Sequence, residues 1–162
     1  MSLVGFKARN HPQQRTNPQV DDRGTDPELF RRLDERFQFT VDVAALPHNA
    51  KLERYITPDD DGLRQSWAGE RVWCNPPYSD IGRWVVKAWD EWNAGAELIV
   101  MLLPANRTEQ GWWQELVEPY RELGHGFRVE FMPGRPRFVN VGKTGIGPNE
   151  RPPFGCCLLI WQ

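Results

Sequence analysis

A continuous apolar segment in the second half of the chain limits the folds that this sequence can adopt. Residues 96–103 are apolar at every position except Glu97, and Pro104 closes the run. A strand of this composition is buried on both of its faces, and such strands occur in sheets that helices cover on both sides. The segment therefore predicts an α/β protein.

Strand and helix patterns alternate around this segment. Strands alternate between apolar and polar residues or are apolar throughout, whereas helices repeat apolar residues at a spacing of three and four. The predicted strands are residues 39–45, 71–74, 96–103, 127–132 and 154–161, and the predicted helices are residues 81–92 and 109–123. This order describes an open doubly wound sheet, in which ligands bind outside the carboxyl ends of the strands.

The N-terminal segment differs in composition from the rest of the chain. Residues 1–24 are rich in Arg, Asn, Gln and Pro and lack apolar periodicity, which predicts a flexible arm. Residues 25–162 then form a single domain, because a chain of 162 residues has room for one compact core. A helix is expected to begin after Thr25, with Thr25 as its cap and Pro27 in its first turn.

Composition excludes several classes of protein. No apolar run approaches the roughly 20 residues that span a bilayer, and the first residues lack a signal-peptide core, so we expect a cytoplasmic protein. The net charge of −2 gives no support to strong sequence-independent binding of nucleic acid. The cysteines fit neither a disulfide framework nor a zinc site, and we expect buried thiols and no metal.

A rigid turn follows directly after the predicted strand at residues 71–74. It consists of Asn75, Pro76, Pro77 and Tyr78, and its two prolines exclude helix and hold Asn75 in an extended conformation. The turn presents one amide side chain, two carbonyl groups and an aromatic ring at the carboxyl end of a strand. This set of groups suits a planar ligand that carries an amino group, such as adenine.

The chemistry of an adenine amino group explains why these residue types would be used together. The nitrogen lone pair is delocalised into the ring, so a catalyst must accept hydrogen bonds from both N–H groups and favour a tetrahedral nitrogen. The side-chain oxygen of Asn75 and the carbonyl of Pro76 can be these acceptors, and Tyr78 can stack on a base taken out of the helix. As an isolated match, the four residues are equally compatible with an ordinary turn.

Several separate motifs, in a consistent order, support the functional interpretation of the turn. They are residues 39–45, residues 60–63 with Trp67, residues 72–79 with Gly82 and Trp84, and residues 103–108 with Trp112 and Trp113. From about Thr25 to the C-terminus, the chain resembles the bacteriophage-type DNA N-6-adenine methyltransferases. The resemblance implies a Rossmann-like fold that binds S-adenosylmethionine beside the diproline turn and methylates the exocyclic amino group of adenine in DNA.

The resemblance also implies a set of cofactor contacts. Asp42 matches the acidic residue at the end of the first strand, near the methionine ammonium group, and Asp61 matches an acceptor for the adenine or ribose of the cofactor. For Thr25 a helix cap, and for Asp61 a solvent-exposed turn, are the alternatives. The residues assigned to the cofactor are Thr25, Pro27, Asp42, Ala44, Asp61 and Asn75.

The spacing of two of these residues predicts a departure from the usual methyltransferase sheet. About 33 residues separate Asp42 from Asn75. A fold of this kind usually places two strand–helix units there, and one crossover alone takes about 30 residues. We therefore expect a compact fold in which one strand–helix unit is trimmed.

DNA is the expected partner, with the target adenine flipped out of the duplex. Arg107, Arg135 and Arg137 are the predicted phosphate contacts. Phe154 is predicted to stack on the target base from the side opposite Tyr78, and packing in the core is its alternative.

Two other functions remain open from the sequence. The same turn serves methyltransferases that act on amino or amide groups in RNA or protein. Alternatively, the domain is a noncatalytic module that binds nucleic acid, with the turn shaping its surface.

Overall fold

The computed structural model describes residues 24–122, 124, 126–139 and 154–162. Apart from Gly24, the predicted N-terminal arm lies outside the described residues. The helices are α1 (Pro27–Phe37), α2 (Ile81–Asn93) and α3 (Gly111–Leu116), with a 3₁₀ turn at Glu118–Tyr120. The strands are β1 (Gly24–Thr25), β2 (Val41–Asp42), β3 (Arg71–Cys74), β4 (Leu98–Pro104), β5 (Phe127–Phe131), β6 (Phe138–Val139) and β7 (Cys156–Trp161).

The described elements form a mixed α/β structure with a five-stranded sheet and three α-helices. The strand order is β2-β3-β4-β7-β5. Strands β2, β3 and β4 run parallel, whereas β7 is antiparallel to both of its neighbours. Strands β1 and β6 form a separate antiparallel pair, which we call the β1–β6 ribbon. The α/β prediction is therefore confirmed.

Helices pack on both faces of the sheet. A phenylalanine of α1 contacts Trp73, so α1 lies on the face to which Trp73 points. Trp89 of α2 contacts Trp161 of β7. Trp161 pairs with Ile99 of β4, and Ile99 pairs with Val72 of β3, so these three side chains point to one face. Val72 is the neighbour of Trp73 in β3. Because successive residues of a strand point to opposite faces, α2 covers the other face. All seven residues of β4 are buried between these layers, as its apolar sequence predicts.

The cap of the first helix lies one residue later than predicted. Asp26 is the N-cap of α1, and its carboxylate accepts a hydrogen bond from the Glu28 amide at 3.0 Å. Pro27 occupies the first helical position, where its missing N–H costs nothing. The prediction that Thr25 caps this helix is therefore wrong, because Thr25 lies in β1, paired with Phe138 of β6.

Two other elements are less than half as long as predicted. The helix expected at residues 109–123 ends at Leu116 and is followed by the 3₁₀ turn, because Pro119 cannot donate a helical hydrogen bond and disfavours helix in the residue before it. The strand expected at residues 39–45 is reduced to β2. Its flanks still pair with β3, since the amides of Thr40 and Val43 donate to the carbonyls of Arg71 and Trp73.

The segment between β2 and β3 has the largest departure from the expected fold. Within residues 43–70 the structure has no helix and no strand, and an isolated bridge joins Tyr55 to Asp42. Both strand–helix units are thus absent, where we expected one to be trimmed. The segment returns through turns packed against the sheet, and a Cβ atom on Gly62 would come within 2.3 Å of the Val43 carbonyl oxygen. That approach requires glycine.

The remaining sequence expectations about the core agree with the structure. Cys74, Cys156 and Cys157 are free, buried thiols. Trp84, Trp112 and Trp113 are buried in the core and Trp89 packs against it. None of the helices in the described part of the chain has the length and apolar content needed to cross a bilayer.

Candidate active site

The carboxyl ends of β2 and β3 form one edge of the sheet, and the candidate site lies there. Asp42 is the last residue of β2, and Asn75 follows the last residue of β3. Because the two strands are parallel and adjacent, both side chains reach the same hollow. The hollow encloses about 280 Å³, part of it open to solvent, and is lined by Gly24, Thr25, Asp42, Ala44, Asn49, Lys51, Trp73 and Asn75.

The diproline turn holds Asn75 at the wall of the hollow. Asn75 is half-buried and Pro76 is buried. The amide nitrogen Nδ2 of Asn75 donates a hydrogen bond to Oγ1 of Thr25 at 3.2 Å, although Thr25 lies 50 positions earlier in the chain. Thr25 is only 1% exposed. The bond fixes the amide with its nitrogen towards the β1–β6 ribbon and its oxygen Oδ1 on the other side.

Tyr78 closes the turn in an aromatic cluster. Its side chain is 8% exposed, and its ring makes edge contacts with Phe138 and Phe154, each at 6.2 Å between centroids. Arg107 donates a hydrogen bond from Nη1 to the Tyr78 carbonyl oxygen at 2.7 Å, and its guanidinium carbon lies 5.8 Å from the centre of the Tyr78 ring. Two predicted DNA contacts, Arg107 and Phe154, therefore lie against Tyr78.

Asp42 is the most strongly perturbed acid of the site. Its side chain is 3% exposed. Its carboxylate accepts hydrogen bonds from the amides of Ala44 at 3.3 Å and Lys51 at 3.1 Å. Burial raises the pKa of Asp42 to about 6, although these two hydrogen bonds and the charge of Lys51 act in the opposite direction. The Asp42 carboxylate is thus ionised at neutral pH and close to its titration range.

Lys51 introduces a positive charge into the same hollow. Burial lowers the pKa of its ammonium group, while the nearby carboxylates of Asp42 and Asp26 raise it. Sequence reasoning missed Lys51 and Asn49, which both line the hollow. They lie in a segment without regular secondary structure, so no periodicity in the sequence marks them.

The structure places two predicted cofactor contacts away from the hollow. Pro27 is exposed at the start of α1. The Asp61 carboxylate accepts a hydrogen bond from the Leu63 amide at 3.1 Å and lies 3.3 Å from the Arg64 guanidinium, so it stabilises its own turn. Neither residue is among the described residues that line the hollow, and their cofactor roles stay predictions.

The other two predicted phosphate contacts lie in the segment before β6. Arg135 is exposed, and Arg137 is half-buried with its carbonyl accepting from the Asp26 amide at 3.2 Å. That bond continues the pairing of the β1–β6 ribbon towards α1. The segment that carries both arginines is thus attached to the wall of the hollow through β1.

Comparison with known proteins identifies the family. The model of the family DNA N-6-adenine-methyltransferase (Dam) matches residues 13–162, which include the hollow, the diproline turn and part of the predicted arm. The chain belongs to this family. Its membership agrees with the resemblance found from the separate motifs in the sequence.

Two curated relatives of this chain are also described as DNA N-6-adenine-methyltransferase. The protein of Haemophilus phage HP1 is 31% identical over 97 residues, which cover 59% of this chain and 56% of that protein. The protein of Escherichia phage T1 is 30% identical over 98 residues, which cover 59% of this chain and 40% of that protein. The chain therefore spans about half the length of the curated relatives it matches.

Proposed function

We propose that this chain transfers a methyl group from S-adenosylmethionine to the exocyclic amino group of adenine in DNA. Its fold would then be a compact form of the Rossmann-like, doubly wound methyltransferase sheet. The observation that carries the proposal is the position of Asn75. Its amide stands at the wall of a hollow between parallel strand ends, held by Thr25 on one side and followed by two prolines on the other.

The residues of the hollow fit one end of S-adenosylmethionine. The amino-acid end of that molecule carries an ammonium and a carboxylate group, and the hollow offers the Asp42 carboxylate and the Lys51 ammonium. The hollow is partly open to solvent and is lined mainly by polar residues, so it suits the polar end of the cofactor rather than the whole molecule. Thr25 and Ala44 would line this part. Pro27 and Asp61 remain proposed contacts for the rest.

When bound, S-adenosylmethionine supplies a methyl group on a positively charged sulfur. The amino nitrogen would bond to the methyl carbon as the carbon–sulfur bond breaks, S-adenosylhomocysteine would leave, and the nitrogen would lose one proton to solvent. Asn75 Oδ1 and the Pro76 carbonyl would each accept a hydrogen bond from the adenine amino group. Two acceptors draw the nitrogen lone pair out of the ring and stabilise the positive charge that develops on nitrogen. Pro76 and Pro77 restrict the separation of these acceptors, because Pro76 has a fixed φ angle and Pro77 limits the conformation of Pro76.

The target base must leave the DNA stack to reach these acceptors. Tyr78 would stack on the flipped adenine, and Phe154 would contact it from the other side. In the structure these two rings pack against each other and against Phe138, so the base would have to enter between them. Arg107 and the arginines before β6 are the proposed phosphate contacts. A cationic contact of this kind positions the duplex without reading its sequence.

Transfer of labelled methyl groups from S-adenosylmethionine to DNA tests the proposal. Asn75→Ala removes one of the two acceptors, and loss of one such group from a catalytic site costs about 10²–10³ in kcat. We expect a loss of this size with cofactor binding, measured by calorimetry, largely intact. Asn93→Ala, at the exposed end of α2, is the matched control.

The same assay separates the other functions. Parallel reactions contain DNA with and without adenine, an RNA and a glutamine-containing peptide. Transfer to RNA or peptide but not to DNA would assign a different methyl acceptor. Absence of saturable S-adenosylmethionine binding by the folded protein would favour a noncatalytic binding module. An Asn75→Ala variant that still methylates DNA at the wild-type rate would refute the proposed role of the turn.

A further inference from the structure

We propose that Thr25 is a positioning residue that holds the Asn75 amide in the orientation required for methyl transfer. This inference rests on the proposed function and adds a second residue to its machinery. Thr25 acts through Asn75, in addition to lining the hollow. The β1–β6 ribbon, which no sequence pattern predicted, is the element that brings it there.

The position of the Thr25 hydroxyl is strongly constrained. Thr25 is 1% exposed and is paired in antiparallel register with Phe138. Because threonine is branched at Cβ, its χ1 rotamers are few, and the strand backbone therefore determines where Oγ1 lies. Oγ1 accepts the hydrogen bond from Nδ2 of Asn75 at 3.2 Å. The bond thus restricts rotation of the Asn75 amide, because its acceptor belongs to a rigid pair of strands.

The orientation of the amide matters because its two ends differ chemically. The torsion about the terminal bond of asparagine is broad, and rotation by about 180° exchanges the oxygen with the NH₂ group. In the exchanged orientation an N–H donor would face the amino group of the target, which also donates. A bond that holds Nδ2 towards Thr25 directs Oδ1 to the opposite side, in the orientation that an acceptor requires.

The same cross-strand pair reaches both ends of the diproline turn. Thr25 bonds to Asn75, and its partner Phe138 makes an edge contact with the Tyr78 ring at 6.2 Å and 89°. The ribbon therefore sets the amide and the aromatic ring relative to each other. The proposed acceptor, Asn75, and the proposed stacking ring, Tyr78, are thus both held by the β1–β6 ribbon.

Three threonine variants test the inference. Thr25→Val keeps the shape and the strand preference of the side chain but removes the acceptor. Thr25→Ser keeps the hydroxyl. Thr40→Val is the matched control, because it removes a threonine hydroxyl that is also hydrogen-bonded, to Glu70 at 2.6 Å, at the amino end of the strands. Each variant is assayed for kcat with DNA, for the S-adenosylmethionine Kd and for its thermal midpoint.

We expect Thr25→Val to lower kcat about fivefold, which corresponds to a hydrogen bond of about 1 kcal/mol, with the cofactor Kd unchanged. Thr25→Ser and Thr40→Val should retain the wild-type kcat. Exchange of the Asn75 side-chain NH₂ protons, followed by NMR, should be faster in Thr25→Val than in the wild type.

Three results would overturn the inference. The first is a wild-type kcat and unchanged amide exchange in Thr25→Val. The second is a loss confined to the cofactor Kd, which would make Thr25 a cofactor contact only. The third is that Thr25→Val and Thr25→Ser lose the same amount of kcat and the same amount of thermal midpoint, which would make the role of Thr25 structural. A wild-type protein that transfers no methyl group refutes the proposed function instead, and the amide exchange then still reports on the bond between Thr25 and Asn75.

Discussion

The buried carboxylate of Asp42 predicts how cofactor affinity should depend on pH. If Asp42 must be ionised to bind the cofactor ammonium group, the apparent Kd is the intrinsic Kd divided by the ionised fraction. With the pKa of Asp42 raised to about 6 by burial, that fraction is about 0.9 at pH 7 and about 0.1 at pH 5. We therefore expect S-adenosylmethionine to bind about tenfold more weakly at pH 5 than at pH 7.

The assay is titration calorimetry of the wild type and two variants between pH 5 and pH 7. Asp42→Asn should bind the cofactor weakly at all these values and should lose the pH dependence. His48 lies in the segment that contributes Asn49 and Lys51 to the hollow but does not line it, so His48→Gln is the control. It should bind with the wild-type pH profile.

The stability of the protein offers a second measurement, because the contribution of Asp42 to it should fall as the pH rises, whereas cofactor affinity should rise. Folding raises the pKa of Asp42 from 3.8 to about 6, so the folded state binds the proton more tightly than the unfolded state. The contribution of Asp42 is therefore fully present below about pH 4 and is lost as the pH rises through about 6, a decrease of about 3 kcal/mol in the free energy of unfolding. Urea unfolding at several pH values measures this slope.

Two results would refute this reasoning. If the apparent Kd of the wild type does not change between pH 5 and pH 7, Asp42 either does not contact the cofactor or titrates outside this range. If Asp42→Asn retains the pH dependence of binding, that dependence does not arise from Asp42.

Two further predictions concern the DNA side of the site. Tyr78→Ala should lose turnover and also stability, by about 3–5 kcal/mol as for other large aromatic truncations, whereas Tyr78→Phe should keep most of its turnover because stacking needs the ring and not the hydroxyl. Equal losses of turnover in the two variants would point to hydrogen bonding by the hydroxyl. Arg135→Ala should weaken binding to all DNA sequences alike and reduce the slope of log K against log salt by about 1, measured by fluorescence anisotropy, whereas the exposed Arg32→Ala on α1 should not. An unchanged salt slope in Arg135→Ala would exclude this phosphate contact.

The elements that the sequence predicts well are those whose residue pattern lies within the element itself. The apolar run of β4 and the spacing of buried residues along α2 are both determined by burial of neighbouring positions, and both elements appear within a few residues of their predicted bounds. The diproline turn is also local, because proline fixes its own backbone. For the same reason the sequence alone predicts that Asn75 lies at a strand end.

What the sequence did not predict depends on contacts between distant segments. The β1–β6 ribbon joins residues more than a hundred positions apart through strands of two residues, which are too short to show an alternating pattern. The hydrogen bond between Thr25 and Asn75 follows from that pairing. The apolar composition of β7 reports that both of its faces are buried, and burial of both faces does not determine the direction of the strand.

The position of β7 in the sheet has a consequence for how the protein reaches its native state. In the part of the chain that the structure describes, β5 pairs with β7 alone, although β5 is synthesised first, and β7 in turn pairs with β4. During translation, β5 therefore cannot form this pairing until Cys156–Trp161 has left the ribosome. The edge of β4 that pairs with β7 stays exposed until the same six residues emerge. A nascent chain that lacks this segment should expose apolar strand edges, which are sites of aggregation and of chaperone binding.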